Sequence, residues 1–193
     1  MRRILASLFT VLLAAATLGV TGASAVATDL PAPTGTGPKV TVRHGHPGTL
    51  TQVRYGKHTT YDRLVFQASG AVPGWDVRYV KAPVTEDGSG RPVPVAGRAV
   101  LHVVLHGIDG HTSTGRRSYP STPATSGPAI RQVKDAGDFE AVVSFAVGTT
   151  GRTGFRVFAL TNPSRVVLDV ARPVVSGEKA SPLMSVAEVN VMG

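Results

Sequence analysis

Residues 155–172, FRVFALTNPSRVVLDVAR, restrict the possible folds of this chain more than any other stretch. Two runs of strand length, 155–160 and 165–170, are rich in Val, Leu and Phe and flank Thr161-Asn162-Pro163-Ser164. Asn-Pro between two such runs is turn chemistry, so the spacing predicts a β-hairpin. Side chains alternate along a strand, which sets Val166, Leu168 and Val170 against Arg165, Val167 and Asp169. The same pattern recurs in 63–68, where Leu64, Phe66 and Ala68 oppose Arg63, Val65 and Gln67. Each strand opens on an Arg that faces outward, with the first apolar residue facing inward. That echo hints at an internal pseudo-twofold duplication.

Strand signals continue through the middle of the chain, at 50–55, 61–69, 75–80, 98–106, 130–135, 139–147, 155–160 and 165–170. Turn chemistry separates them: Pro73-Gly74, Asp87-Gly88-Ser89-Gly90, Ala136-Gly137-Asp138, the Gly148 to Gly154 stretch and Asn162-Pro163. No apolar spacing of helical period reaches helix length. About eight short strands with Gly-rich turns predict an all-β sandwich or barrel. In 139–147 the alternation assigns Phe139, Ala141, Val143, Phe145 and Val147 to the core face. The one long irregular loop, 107–128, carries His111, Arg116, Arg117 and Tyr119 among many Ser and Thr residues. Loops of that length in compact domains are commonly functional.

The two ends read differently. Arg2 and Arg3 precede an apolar run from Ile4 to Val20 and then Ala23-Ser24-Ala25, the pattern of a signal peptide over 1–25 cleaved after Ala25. Residues 26–48, with PAPTGTGP, have the composition of a disordered Pro/Gly/Thr-rich spacer. The folded domain is expected over 49–172. The tail 173–193 holds Val186, Val189 and Val191, which offer one short strand. No segment after the leader is long and apolar enough to span a bilayer, so no stable membrane span is expected after cleavage. These features predict a secreted, extracytoplasmic protein.

Cysteine is absent, so the exported chain must be stabilised by burial and strand pairing. The 193 residues less 25 leave 168, enough for one domain with a real core. Removing Arg2 and Arg3 from the 20 Lys and Arg leaves 18 against 12 Asp and Glu. An excess of six favours an anionic partner such as a wall polymer or peptidoglycan carboxylates, or simply keeps the protein soluble. Outside the membrane, nucleic acid is not an expected partner.

Several constellations invite a chemical reading. His106, Asp109 and His111 lie within six residues, the best zinc-like cluster, but no further ligand of obvious placement and no HExxH accompany it. His102 and His106 stand roughly 13 Å apart along a strand, too far to share one ion. Ser176-Gly-Glu-Lys179 has the S-x-x-K spacing, yet it sits in a Gly/Pro-flanked tail rather than at the start of a helix. No catalytic residue, metal site or cofactor is therefore predicted. The candidate ligand-binding residues are Arg63, Trp75, Tyr79, His111, Arg116, Arg117, Tyr119 and Arg165. Trp75 and Tyr79 share a strand face suited to stacking on sugars, or else Trp75 is a core residue. Arg63 and Arg165 would grip carboxylates or phosphates in two-pronged fashion, or else pair with local acids such as Asp62 and Asp169.

The order of several short motifs resembles the AMIN-like domains of secreted proteins and lipoproteins from high-GC Gram-positive bacteria, the actinobacteria. The likeness rests on Tyr61-Asp62-Arg63-Leu64-Val65-Phe66, Pro73-Gly74-Trp75 with Arg78-Tyr79-Val80, Asp87-Gly88-Ser89-Gly90, His111-Thr112, Gly137-Asp138-Phe139-Glu140, and Phe155 through Val170. The resemblance implies a β-sandwich of two small antiparallel sheets. It further implies a non-catalytic module that binds or localises at peptidoglycan, another anionic cell-wall polymer, or an envelope protein. No enzymatic segment follows, unlike the AMIN domains that precede cell-wall amidases. Two alternatives stay open at this point. One is a protein-interaction module that recruits an envelope enzyme or secretion component, and the other is a small metal-dependent hydrolase.

Overall fold

A computed structural model describes residues 30–44 and 48–174. The expected leader and its cleavage site, and the strand expected near Val186–Val191, lie outside the described residues. The strands are β1 Lys39–Thr41, β2 Gly48–Lys57, β3 Tyr61–Ser69, β4 Gly74–Val80, β5 Val84–Thr85, β6 Pro92–Val93, β7 Ala99–His106, β8 Ile108–Asp109, β9 Ile130–Phe139, β10 Val142–Thr149, β11 Phe155–Leu160 and β12 Ser164–Ala171. The fold is all-β, with no helix among the described residues.

One sheet runs β1-β4-β7-β10-β9 and the other β11-β12-β3-β2-β8, with β5 and β6 a separate short hairpin. All pairings are antiparallel except that of β8 with β2. Leu50, Leu64, Phe66 and Leu168 from one sheet pack on Val77, Leu101, Leu105 and Phe145 from the other, all fully or almost fully buried. The rings of Phe66 and Phe145 lie 5.0 Å apart between centroids and tie the layers at the centre. Each such side chain contributes about 1.5–3 kcal/mol on burial, which replaces the missing disulfides. The β5–β6 hairpin folds over the outer face of the first sheet, where Val84 and Val93 pack with Val100, Ala136 and Ala146.

Twelve strands, not about eight, form this architecture. The four additions, β1, β5, β6 and β8, have only two or three residues, too few for alternation to register. β1 falls within the stretch whose composition reads as a spacer, yet it pairs with β4 from Lys39↔Val77 to Thr41↔Trp75. The Phe155 amide donates to Gly35 O at 2.9 Å, so this segment also meets the edge of the second sheet.

A second difference lies at the β9–β10 connection. Ala136-Gly137-Asp138 is not a turn but part of β9, which runs on to Phe139. The chain reverses instead at Glu140 and Ala141, whose φ angles are 48° and 59°. Phe139 thus stands on the far side of the reversal from Val143 and is 63% exposed, not core. Alternation does not carry through a two-residue turn.

The two Arg-led strands, β3 and β12, are neighbours in one sheet. Arg63 pairs in register with Asp169, Arg165 with Gln67, and Val65 with Val167 between them. A local twofold axis through the Val65–Val167 pair exchanges the strands, but it places Gln67 where Arg63 finds Asp169. That substitution decides the fate of each Arg.

Candidate functional site

The outer end of β9 is where three separated segments converge. The register of β9 on β10 slips between Gly137↔Ser144 and Asp135↔Phe145, which leaves Ala136 as the extra residue of a β-bulge. In a regular strand, residues three apart face opposite ways. The extra residue cancels that, and Asp135 and Asp138 line the same cavity.

Two glycines let the other walls close on this bulge. A Cβ on Gly137 would lie 2.0 Å from Asp87 Oδ2, so only glycine admits the β5–β6 tip here. The tip is held there by Asp87 N donating to Ala136 O at 2.8 Å and Ser144 Oγ donating to Asp87 Oδ2 at 2.7 Å. A Cβ on Gly110 would lie 2.7 Å from Asp138 Oδ2. Its amide instead donates to Asp138 Oδ1 at 2.9 Å, and His111 Nδ1 stands 2.9 Å from Asp138 Oδ2.

Residues 110–118, expected as irregular, form a small hairpin of their own. His111 and Arg117 make an antiparallel bridge, Thr112 N donates to Arg116 O, and Ser118 N donates to Gly110 O. Gly115 closes its turn at φ 76°. Arg117 donates to Asp135 Oδ2 at 2.8 Å, and the Tyr119 hydroxyl donates to Asp135 Oδ1 at 2.7 Å. The result is a cleft of about 320 Å³ walled by Glu86, Asp87, His111, Arg117, Tyr119, Asp135 and Asp138.

The cleft carries four carboxylates against one guanidinium and one imidazole. The Asp138 carboxylate, through its hydrogen bond and its charge, raises the His111 pKa above the ordinary imidazole value. The Ser89 hydroxyl and then Arg91 hold Glu86 below the usual carboxylate range. Burial, reinforced by Asp135, pushes the Tyr119 phenol far above its ordinary value, so it remains a donor. Behind the 110–118 hairpin lies a second, open groove of about 590 Å³. Its walls are hydroxyls of Thr49, Ser69, Thr112, Ser113, Thr114 and Ser118, with Arg116 and Arg117.

Of the eight residues singled out in the sequence, His111, Arg117 and Tyr119 line the cleft, and Arg116 lines the groove behind it. The other four lie elsewhere. Trp75 is 6% exposed and packs in the core between the sheets, so it presents no stacking face to solvent. Tyr79 is half-buried and uses its hydroxyl on the Thr153 backbone, donating to O at 2.9 Å and accepting from N at 3.1 Å. Arg63 donates twice to Asp169, at 2.6 and 2.9 Å, and Arg156 adds a third bond at 2.7 Å. Arg165, facing Gln67 instead of an acid, donates to Pro163 O at 3.1 Å. Among the described residues no three His, Asp or Glu side chains converge as metal ligands, His106, Asp109 and His111 included.

Glu86, Asp87, Asp135 and Asp138 escape a reading of the sequence for binding chemistry, because a bulge and a hairpin tip assemble them. One signal did mark the place. Asp87-Gly88-Ser89-Gly90, His111-Thr112 and Gly137-Asp138, three of the motifs behind the family likeness, all meet at this cleft. A family model, the AMIN-like domain, matches residues 48–172. The chain belongs to the AMIN-like domain family. No curated protein and no solved structure matches it. Its all-β fold is that expected of an AMIN-like domain, and membership brings with it a cell-wall-related binding module.

Proposed function

We propose that this AMIN-like protein is a secreted, non-catalytic module that holds peptidoglycan in the cleft between the β5–β6 tip, the β9 bulge and the 110–118 hairpin. The observation that carries the reading is the convergence of three distant segments on one rigid polar cavity. Rigidity supports binding in preference to proton transfer. Asp87, Asp135 and Asp138 are each already held by an internal donor, as is Glu86 by Ser89 and Arg91. A site whose polar groups are fixed before the ligand arrives loses little entropy on binding. A purely anionic wall polymer is the weaker candidate for this cleft, since it would meet four carboxylates.

The test is retention on purified sacculi, with the Asp138→Asn variant run beside the unaltered protein. Retention that weakens but is not abolished at about 0.5 M salt, where exposed charge pairs are screened, and that falls in the variant is the expected result. Failure of the unaltered protein to be retained at low salt overturns the reading.

A second reading rests on a different edge. Gly154 O accepts from Ala171 of β12, whereas Phe155 N turns to Gly35. By alternation Val157 and Ala159 also direct their backbone groups away from β12, and a partner strand would add there. Crosslinking through Val157 that captures one envelope protein and no glycan would favour this alternative.

A further inference from the structure

The cleft and the groove lie on opposite sides of the 110–118 hairpin, share Arg117, and differ in charge. In the cleft, Glu86 is balanced by Arg91 and Asp135 by Arg117. Asp87 accepts from the neutral Ser144 hydroxyl, with the His102 imidazole, whose burial disfavours its charged form, nearby, and Asp138 is met by a backbone amide and an imidazole. Two carboxylates, on either side of Gly137, are thus incompletely compensated, on a chain whose formal net charge is +8. Such a cavity admits a cation and repels an anion. The groove is the reverse. Arg116 is exposed, has no ion-pair partner among the described residues, and stands among the hydroxyls of Thr112, Ser113 and Thr114. Guanidinium beside hydroxyl donors suits a carboxylate.

We infer that the ligand of this site is zwitterionic: a peptide whose free ammonium enters the Asp87–Asp138 cleft while a nearby carboxylate lies against Arg116 and the hydroxyl groove. This rests on the peptidoglycan reading and specifies the part of the polymer recognised, the peptide stem and not the glycan. Two opposite charges held on two sides of one hairpin give a selectivity that neither alone provides. A teichoic-type polyanion fails at the cleft, and a polycation fails at Arg116.

The experiment uses the protein with purified Gram-positive sacculi in four forms: untreated, with amines acetylated, with carboxylates converted to neutral amides, and stripped of peptide. Retention of the unaltered protein is expected on the first and is expected to fall about tenfold on each of the others, the scale of one lost charge-assisted contact. Asp138→Asn binds untreated sacculi more weakly and no longer responds to acetylation, and Arg116→Ala no longer responds to amidation. Asp87→Asn repeats the first result should Asp138→Asn fail to melt cooperatively. Arg165→Ala, remote from the site, retains both responses. Binding to untreated sacculi that survives either treatment, or that persists on stripped glycan, overturns the zwitterion inference while leaving envelope binding in place. Absence of binding to untreated sacculi overturns both.

Discussion

His111 and Asp138 meet across the mouth of the cleft, Nδ1 2.9 Å from Oδ2, although 27 residues separate them in the chain. The pair joins the long loop to the bulged end of β9, and the same carboxylate accepts the Gly110 amide. The Asp138 carboxylate is therefore one tether of the hairpin that divides cleft from groove, beside the Arg117–Asp135 pair and the Ser118 hydroxyl on Leu50 O.

The His111 proton should report on this contact. Hydrogen bonding and charge from Asp138 raise its pKa, so the folded protein holds the proton more tightly than the unfolded chain. The contribution is fully present below the unfolded value near 6.5 and is lost as pH rises through the raised folded value. Side-chain NMR titration should place His111 above free histidine, and Asp138→Asn should return it. A His111 that titrates at the free value sinks the claim. The same deprotonation makes the cleft more negative, so retention of an amine-bearing ligand should rise across this window.

Asp169 is the keystone of the outer face of the second sheet. Fully buried, it receives Arg63 and Arg156, whose side chains remain 22% and 24% exposed. Removing the acid deletes all three charge-assisted hydrogen bonds that Arg63 and Arg156 make to it, and the loss on breaking such a buried pair is about 3–5 kcal/mol. Asp169→Ala should lower the urea midpoint accordingly, while Arg165→Ala should change stability by less than about 0.5 kcal/mol. Equal effects of the two changes would refute the assignment.

Alkaline pH should destabilise the fold through two phenols. Burial, then the Asp62 charge, push Tyr55 up to about 12, and burial with Asp135 drives Tyr119 further in the same direction. Both groups ionise more readily in the unfolded chain. The stability they confer is therefore present below the unfolded value near 10 and is lost as pH rises above it. Absorbance of tyrosinate should appear late for these two, and Tyr119→Phe should flatten the alkaline limb of stability against pH. An unchanged limb in that variant removes Tyr119 from the account.

What the sequence could reveal follows from how far each signal reaches. Val166, Leu168 and Val170 announce their face because alternation is local and uninterrupted, and the longer strands appear close to where that pattern predicts, except that β9 runs on through the expected 136–138 turn and β10 starts later. Phe139 misleads because the Ala136 bulge and the Glu140–Ala141 reversal interrupt the period on either side of it. The candidate site divides in the same way. A long polar loop draws the eye to His111, Arg117 and Tyr119, whereas Asp135 and Asp138 come to one side only through a bulge. Residue type leaves Trp75 open between sugar stacking and the core, and packing places it in the core.

Gly137 tests whether the cleft is built as described. Alanine there would place Cβ 2.0 Å from Asp87 Oδ2 and 2.5 Å from Asp87 Cβ, so the β5–β6 tip must withdraw and surrender the Ser144 bond. Overpacking of this kind costs about 1–3 kcal/mol. Gly56→Ala in β2, with nothing within 4 Å of the new carbon, serves as the comparison and should be close to neutral. The cost should also depend on Asp87, because the crowding is with that one side chain. In an Asp87→Gly background, Gly137→Ala should lose most of its effect, a coupling of about 1–2 kcal/mol in a double-mutant cycle. Additive effects of the two changes would mean that the tip does not rest on the bulge, and the cleft would lose one of its three walls.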